Sequence, residues 1–241
     1  MSDFFRFQHT PHLAWLGQGS PRDDKVLSPA EAEVLLCGEV VVEEKLDGAN
    51  LGISVGPDGN LRVQNRGQYL ESPFHGQFSR LGSWLAAHRE RLESALFPDL
   101  MVFGEWCAAR HSLGYTSLPD WFLGFDVYDR KLGRFWSTGR RDALFRSIGI
   151  TCVPKRFQGK TQLNDLKRLL EQERSLFQNG PMEGLVVRKE DQEWLAARAK
   201  LVRADFTQAI TQHWIRRGIE WNRLGADGTF ASSVEMAPDP D

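Results

Sequence analysis

The alternation of apolar and polar positions predicts short strands near the N-terminus of the chain. Val40-Val41-Val42 begins a strand that leads into Glu44-Lys45, and residues 50–55 are typical of a second strand. Pro57-Asp58-Gly59-Asn60 is a strong turn signal, after which residues 61–65 predict a third strand. We expect these three strands to form a compact antiparallel unit with Lys45 near its edge.

The rest of the chain predicts helices and strands in no regular order. Ser28, followed by Pro29 and Glu31, forms a capping box that starts a helix ending near Gly38. Further helices are predicted for residues 74–95, 138–148 with Thr138 as the N-cap, 161–177 and 205–217. Further strands are predicted for residues 100–106, 121–128, 184–188 and 194–199. This irregular order indicates an α+β fold rather than a doubly wound one.

Composition and charge narrow the class of protein. The 241 residues are 41% hydrophobic and 26% charged, as in an ordinary globular protein, and suit one large domain or one domain with a small appendage. A net charge of −2 limits any nucleic-acid surface to a local patch. Cys37, Cys107 and Cys152 fit neither a zinc site nor a disulfide framework, which favours reduced thiols in a cytoplasmic protein. We expect no membrane span and no signal peptide.

The segment Glu44-Lys45-Leu46-Asp47-Gly48-Ala49-Asn50 is the first candidate for chemistry. Its lysine ends an apolar strand just before a glycine that permits a tight turn. Burial would lower the pKa of this lysine and nearby carboxylates would raise it, and a neutral amine would be a nucleophile towards phosphorus. Taken alone, a lysine before Asp-Gly is more often only a turn.

Other polar and aromatic residues stand at the ends of predicted strands. Arg66 follows a strand and Glu105 lies at the end of one, while Glu183 precedes a strand and could hold Mg²⁺. Arg198 and Lys200 share one face of a strand, where two cations can grip a phosphate. In the aromatic strand around Gly124, the glycine would let a flat base approach the backbone. Taken alone, each of these residues is equally well explained as an ordinary surface or core residue. The sequence contains no GxGxxG motif or P-loop, so a nucleotide would have to be bound in another way.

In their order along residues 40–206, these segments resemble the covalent nucleotidyltransferases: DNA ligases, RNA ligases and mRNA capping enzymes. The pattern Lys45-x-x-Gly48-x-Asn50 resembles the RNA ligase 2-like branch. The resemblance implies an ATP-grasp-like adenylylation domain of antiparallel sheets flanked by helices, over residues 1–204. Residues 205–241 are then a short helical C-terminal extension with a disordered tail.

The resemblance also implies a role for each matching residue. Lys45 is the nucleophile that takes AMP, Glu183 binds the metal, and Lys200 with Arg198 grips the α-phosphate. The family often has lysine at the position of Arg198. The remaining matches concern the nucleoside and the nucleic-acid end: Glu44 at the adenine edge, Glu105 at the ribose, Phe125 (preferred to Phe122) stacked on the purine, Arg66 at the ribose or the nucleic-acid end, and Asn50 at the 5′-phosphate.

The function implied is an ATP-dependent RNA ligase that uses Mg²⁺ or Mn²⁺ and joins 5′-phosphate to 3′-hydroxyl ends through lysyl-AMP. Phosphate contacts are expected from a basic patch: Arg188, Lys189, Arg203, Arg216 and Arg217. The segment after Arg203 is too short for an OB-fold barrel, so a protein partner is one source of end recognition. The alternatives are a DNA nick ligase, a GTP-using guanylyltransferase and a non-catalytic or partner-dependent RNA-binding subunit.

Overall fold

The computed structural model describes residues 4–19, 21, 24–209 and 218–226, which form two sheets flanked by helices. The strands are β1 Glu39–Lys45, β2 Ala49–Val55, β3 Leu61–Gln64, β4 Tyr69–Leu70, β5 Leu100–Trp106, β6 Phe122–Asp129, β7 Arg134–Phe135, β8 Thr151–Cys152, β9 Lys155–Lys160, β10 Gly184–Glu190 and β11 Leu195–Val202. The helices are α1 Pro29–Leu36, α2 Leu81–Leu96, α3 Thr138–Ile148, α4 Leu163–Gln172 and α5 Ala204–Ala209. The predicted α+β class is confirmed.

The two sheets divide the N-terminal strands between them. The smaller sheet has the order β11-β10-β1-β9, and the larger has the order β4-β3-β2-β5-β6-β7 with β8 parallel beside β6. The predicted unit of the first three strands is therefore wrong, because β1 lies in one sheet and β2 with β3 in the other. Five consecutive residues of β1 are buried, so this strand needs partners on both edges, and both come from later in the chain.

Each sheet packs one face against helices. In the larger sheet, residues such as Trp106 and Phe122 pack with Trp84 of α2 and Phe145 of α3. The smaller sheet is covered by α1 and α4, whose leucines join alternate residues of β1, β10 and β11. This arrangement leaves the remaining face of each sheet to shape the space between them.

The helix ends differ from the predictions in three places. The capping box at Ser28 is confirmed, with the side chain of Glu31 accepting from the backbone N–H of Ser28 at 2.8 Å. Ser137, rather than Thr138, caps α3 through its side chain. A separate 3₁₀ turn, Gly76–Phe78, precedes α2, and α4 ends at Gln172, because the segment after it forms an irregular loop that returns to β9.

Strand β9 was not predicted. Its sequence, KRFQGK, has no apolar alternation because it is an edge strand that pairs only with β1. The two-residue strands β4, β7 and β8 were also missed, being too short to carry a pattern. Helix α5 covers the start of the predicted helix 205–217; its remainder and the predicted disordered tail lie outside the described residues. Among the helices that are described, none is long and apolar enough to cross a membrane.

Candidate active site

A cavity of about 470 Å³ lies between the two sheets, within the usual size range of small-molecule sites. Strands of both sheets line it, and the N-terminal segment adds Phe7 and Thr10. Eight of the nine residues singled out in the sequence line this cavity: Glu44, Lys45, Asn50, Arg66, Glu105, Phe125, Arg198 and Lys200. The ninth, Glu183, contacts the side chain of Lys45. The fold thus brings together residues that are up to 156 positions apart in sequence, Glu44 to Lys200.

The register of the smaller sheet places Glu183 against Lys45. Lys45 ends β1 opposite Gly184, the first residue of the antiparallel strand β10. Glu183 precedes that strand, and its Oε1 lies 2.5 Å from Lys45 Nζ. The side chain of Glu183 is only 7% exposed and that of Lys45 is 26% exposed. A lysine reachable from the cavity is therefore held by a buried carboxylate.

The carboxylates decide the charge of this lysine. Burial lowers the pKa of Lys45, but Glu183, Glu105 and Asp47 together outweigh burial, so the net pKa is raised. Without a ligand the amine is protonated, whereas nucleophilic attack requires the neutral form. Burial in turn raises the pKa of Glu183 to about 8 and that of Glu105 to about 7, despite the opposing charge of Lys45. Burial therefore makes the ionised forms of both carboxylates costly, and the positive charge of Lys45 offsets part of that cost.

The turn after Lys45 explains the Asp-Gly pair that follows it. A Cβ on Gly48 would lie 2.6 Å from the backbone oxygen of Trp106, so only glycine fits beside β5. The Gly48 N–H donates to Glu105 Oε1 at 3.0 Å. Asp47 Oδ2 accepts from the N–H groups of Ser112 and Leu113, both at 2.7 Å. The aspartate, to which the sequence analysis gave no role, fixes the loop after β5 to the lysine turn.

The two cations of β11 face the cavity but are already ion-paired. Alternation along the strand turns Arg198 and Lys200 to the cavity, and Ala199 and Leu201 to the core. Lys200 Nζ lies 2.5 Å from Asp24 Oδ2. Burial lowers the pKa of Lys200 in spite of this pairing.

Arg198 is bound more firmly to the wall of the cavity. It pairs with Asp126, whose other oxygen accepts from Arg188 at 2.8 Å. Its guanidinium lies 4.5 Å from the ring centres of both Phe7 and Phe135. Asp24, Asp126 and Phe7 had no role in the sequence analysis; only the closely spaced phenylalanines near the N-terminus hint that this segment packs.

The aromatic strand β6 divides its side chains between core and cavity. Phe122 is fully buried, with its ring 5.2 Å from that of Trp84, whereas Phe125 lines the cavity. The expectation that Gly124 lets a base approach is wrong. A Cβ there would meet the Phe145 ring at 2.2 Å, so this glycine accommodates helix α3.

Several buried polar atoms of the site lack a hydrogen-bond partner in the described part of the chain. They are Glu44 Oε1, Asn50 Oδ1, Arg66 Nε and Glu183 Oε2. The other oxygen of Glu44 accepts from the Leu176 N–H at 3.3 Å. Because buried polar groups are nearly always paired, four unsatisfied atoms in one site indicate a polar ligand.

Among these atoms, Glu183 Oε2 belongs to the carboxylate that contacts the Lys45 amine, where a divalent cation would act. Within the described ranges, no group of three or more His, Cys, Asp or Glu side chains could hold a metal ion. Glu183 Oε2 is a free carboxylate oxygen, the kind of ligand that Mg²⁺ accepts singly when phosphate oxygens and waters supply the others. The residues therefore fit a cation that enters with a phosphate ligand.

The predicted basic patch is not supported. Arg188 is 1% exposed and pairs with Asp126 and Glu190, so it is a buried structural cation rather than a surface contact. Arg203 donates two hydrogen bonds, from Nε and Nη2, to the carboxylate of Asp205, each at 3.1 Å. Lys189 donates to a backbone oxygen of α1. Arg216 and Arg217 lie outside the described residues.

Solved structures with a similar fold are RNA ligases of Naegleria gruberi. A mutant form with ATP and Mn is 16% identical, with a TM-score of 0.64, over 88% of this chain and 60% of that one. Another mutant without ligand is 17% identical, with a TM-score of 0.60, over 88% and 59%. A form with PPi is 19% identical, with a TM-score of 0.56, over 74% and 53%. The chain thus spans 53–60% of the length of these ligases.

Sequence comparisons place the chain in a family. A search among curated proteins found no match. The model of the RNA ligase family, however, matches residues 38–202, which include β1 to β11 and all nine predicted site residues. The chain therefore belongs to the RNA ligase family.

Proposed function

We propose that the protein is an ATP-dependent RNA ligase that joins 5′-phosphate and 3′-hydroxyl ends through a lysyl-AMP intermediate on Lys45. The observation that carries this proposal is the ion pair of Lys45 with Glu183 at 2.5 Å, at a cavity with unsatisfied polar atoms. Family membership supports the reaction class. The similar Naegleria ligases with ATP and Mn support ATP and a divalent cation, Mg²⁺ or Mn²⁺, as cofactors.

In the first step, Lys45 Nζ forms a bond to the α-phosphorus of ATP and pyrophosphate leaves. The lysine must first lose the proton that it shares with Glu183 Oε1. A divalent cation bound near Glu183 Oε2 would supply positive charge that favours the neutral amine and offsets the phosphate charge. Lys200 exchanges Asp24 for a phosphate oxygen, while Arg198, held by Asp126, forms a fixed positive wall.

The nucleoside is held by the other residues of the cavity. Phe125 offers a ring to the purine, and Glu44 Oε1 is a free acceptor for the exocyclic amine of adenine. Glu105 lies beside the lysine turn, in reach of a ribose hydroxyl. Adenine rather than guanine is favoured, because guanine presents a carbonyl oxygen at the position of that amine and would face the carboxylate.

In the later steps, the AMP phosphorus leaves Lys45 and bonds to a 5′-phosphate oxygen of the RNA. The 3′-hydroxyl then attacks the 5′-phosphorus of this adenylated end, which forms the phosphodiester and releases AMP. Asn50 and Arg66, whose Oδ1 and Nε atoms are unsatisfied, are suited to the 5′-phosphate end. RNA as the substrate, a partner protein for end recognition and a role in RNA repair are parts of the proposal. So is a cytoplasmic location, supported by three cysteines without disulfides.

The test is covalent labelling of the protein with α-³²P-labelled ATP or GTP and Mg²⁺, resolved on denaturing gels. We expect label from ATP in the wild type, none in Lys45→Ala, and normal labelling in Lys131→Ala, which removes an exposed lysine outside the cavity. Nicked duplexes and single strands of RNA and DNA then identify the preferred ends. Folded protein that takes no label, and is free of AMP by mass, would contradict the enzyme and favour a partner-dependent or binding subunit. Label from GTP alone would identify a guanylyltransferase instead.

A further inference from the structure

A segment that lies C-terminal to the residues matched by the family model packs against the two-sheet body. Residues 218–226 follow the loop between β5 and β6, with backbone pairs at Ala109–Trp221 and Leu118–Leu224. Asn222 is 4% exposed and anchors the segment: its Oδ1 accepts from the Tyr115 N–H at 2.8 Å, and its Nδ2 donates to the oxygen of Cys107 at 2.8 Å. The position of this segment is therefore fixed by buried hydrogen bonds.

This segment presents an aromatic residue at the surface. Trp221 is 36% exposed and its neighbour Ile219 is 42% exposed. The guanidinium of Arg80 lies 4.6 Å from the ring centre of Trp221 and 4.9 Å from that of Trp121, so it is stacked between two indoles. We name Trp221 and Arg80 the Trp221 platform.

Gln77 connects the platform to the end of the cavity that carries Asn50. Arg80 is three residues from Gln77, which lines the cavity and accepts from Trp106 Nε1 at 2.8 Å. Trp106 in turn pairs with Ala49, the neighbour of Asn50. A strand whose end enters the cavity at Asn50 and leaves it past Gln77 would reach the Trp221 platform.

The platform also has the charge that such a strand requires. In the part of the chain that the structure describes, no carboxylate pairs with Arg80 or with the exposed Arg223. Single-stranded nucleic acids are held by aromatic faces for the bases and cations for the phosphates. A partner protein that docks through aliphatic side chains would contact Trp221 and Ile219. The positive charges of Arg80 and Arg223 would not strengthen its binding.

We propose that the Trp221 platform stacks a base of the nucleic-acid strand whose end is sealed. This inference rests on the proposed ligase function, but it concerns strand binding and not the transfer of AMP to Lys45. The platform would hold the strand on a chain in which two residues of the predicted basic patch, Arg188 and Arg203, are occupied by ion pairs.

The test is Trp221→Leu, which keeps an apolar side chain over Arg80 but removes the aromatic face. Trp194→Leu is the matched control. Trp194 lies on the turn between β10 and β11, away from the cavity, and its ring centre is 4.6 Å from the guanidinium groups of both Arg134 and Arg140. Affinity for a fluorescent, 5′-phosphorylated single-stranded RNA is measured by anisotropy. Lys45–AMP formation without RNA is measured in parallel and reports folding and the first step.

We expect the Kd of Trp221→Leu for RNA to rise about tenfold, as for the loss of one stacked base, with unchanged Lys45–AMP formation. Trp221→Tyr should bind within about twofold of the wild type, since a phenol ring still stacks. Unchanged RNA affinity in Trp221→Leu, or an equal loss in Trp194→Leu, would overturn the proposal. Absence of Lys45–AMP in the wild type would instead count against the proposed function.

Discussion

The ion pair between Lys200 and Asp24 is the residue-level feature that most affects the use of this site. Asp24 accepts from Lys200 at 2.5 Å through one oxygen and contacts His9 Nδ1 at 2.7 Å through the other. Burial raises the pKa of Asp24, but Lys200 and His9 outweigh it and lower the pKa overall, so the carboxylate is ionised at neutral pH. The lysine that is proposed to bind the phosphate is therefore already paired with a carboxylate.

Replacing Asp24 should make ATP bind more readily. In Asp24→Asn, Lys200 no longer has to break an ion pair before it contacts phosphate. We expect the KM for ATP in Lys45–AMP formation to fall roughly two- to fivefold, which corresponds to about 0.5–1 kcal/mol for a partly exposed pair, with little change in kcat. The rate of labelling as a function of ATP concentration measures both. Asp205→Asn, which removes the carboxylate paired with Arg203, should leave KM unchanged; an unchanged or higher KM in Asp24→Asn would refute the prediction.

Whether a site residue could be identified from the sequence depended on its position relative to a predicted strand. Lys45, Glu105 and Glu183 were predictable because they adjoin the ends of apolar strands, whose positions the sequence pattern indicates. Asp24 lies in an N-terminal loop without periodicity, and only the folded chain brings it to Lys200. Arg188 was misjudged for a related reason: strand alternation gives its face, but not the buried carboxylates on that face.

At the scale of secondary structure, the choice of strand partners was what the sequence could not predict. The turn signal between β2 and β3 is local, and that hairpin formed as predicted. The partners of β1 are β9 and β10, more than 100 residues away, and nothing in β1 itself specifies them. The site depends on this distant pairing, because it alone brings Glu183 to Lys45.

The segment 218–226 is a second element whose place only the structure gives, and Asn222 should be its main anchor. In Asn222→Ala, the buried Tyr115 N–H and the oxygen of Cys107 lose their partners. We expect the free energy of unfolding to fall by about 2–3 kcal/mol, the usual cost of unsatisfied buried groups. Denaturant unfolding followed by circular dichroism measures this.

The matched control for that variant is Asn179→Ala, at an exposed loop position. It should change the free energy of unfolding by less than about 0.5 kcal/mol. A loss below about 1 kcal/mol in Asn222→Ala would mean that the segment is not an integral part of the folded two-sheet body.

At the scale of the whole molecule, the cavity is a source of instability. A net charge of −2 is small, yet Glu105, Glu183 and Asp47 surround a single lysine. Burial raises the pKa of Glu105 from an ordinary 4.5 to about 7, which means that its ionised form costs free energy in the fold. Such a cost is typical of sites where charge is arranged for ligands rather than for stability.

This cost should appear in the pH dependence of stability. Between pH 4.5 and 7 the folded protein keeps a proton on Glu105 that the unfolded chain has released, so stability falls as pH rises through this window. Glu105→Gln cannot ionise, and its amide oxygen can still accept from Gly48. The free energy of unfolding of the variant relative to wild type should therefore rise by roughly 1–3 kcal/mol from pH 5 to 8.

The comparison isolates Glu105 from the rest of the site. Glu183, whose pKa is raised to about 8 mainly by burial, titrates in both proteins, and only the smaller contribution of Glu105 to that shift does not cancel. Glu71→Gln, at an exposed position, should give a difference that does not change with pH. Urea unfolding at several pH values measures all three proteins. A difference between Glu105→Gln and wild type that stays constant or decreases with pH would show that Gly48 and Lys45 stabilise the ionised carboxylate more than burial destabilises it.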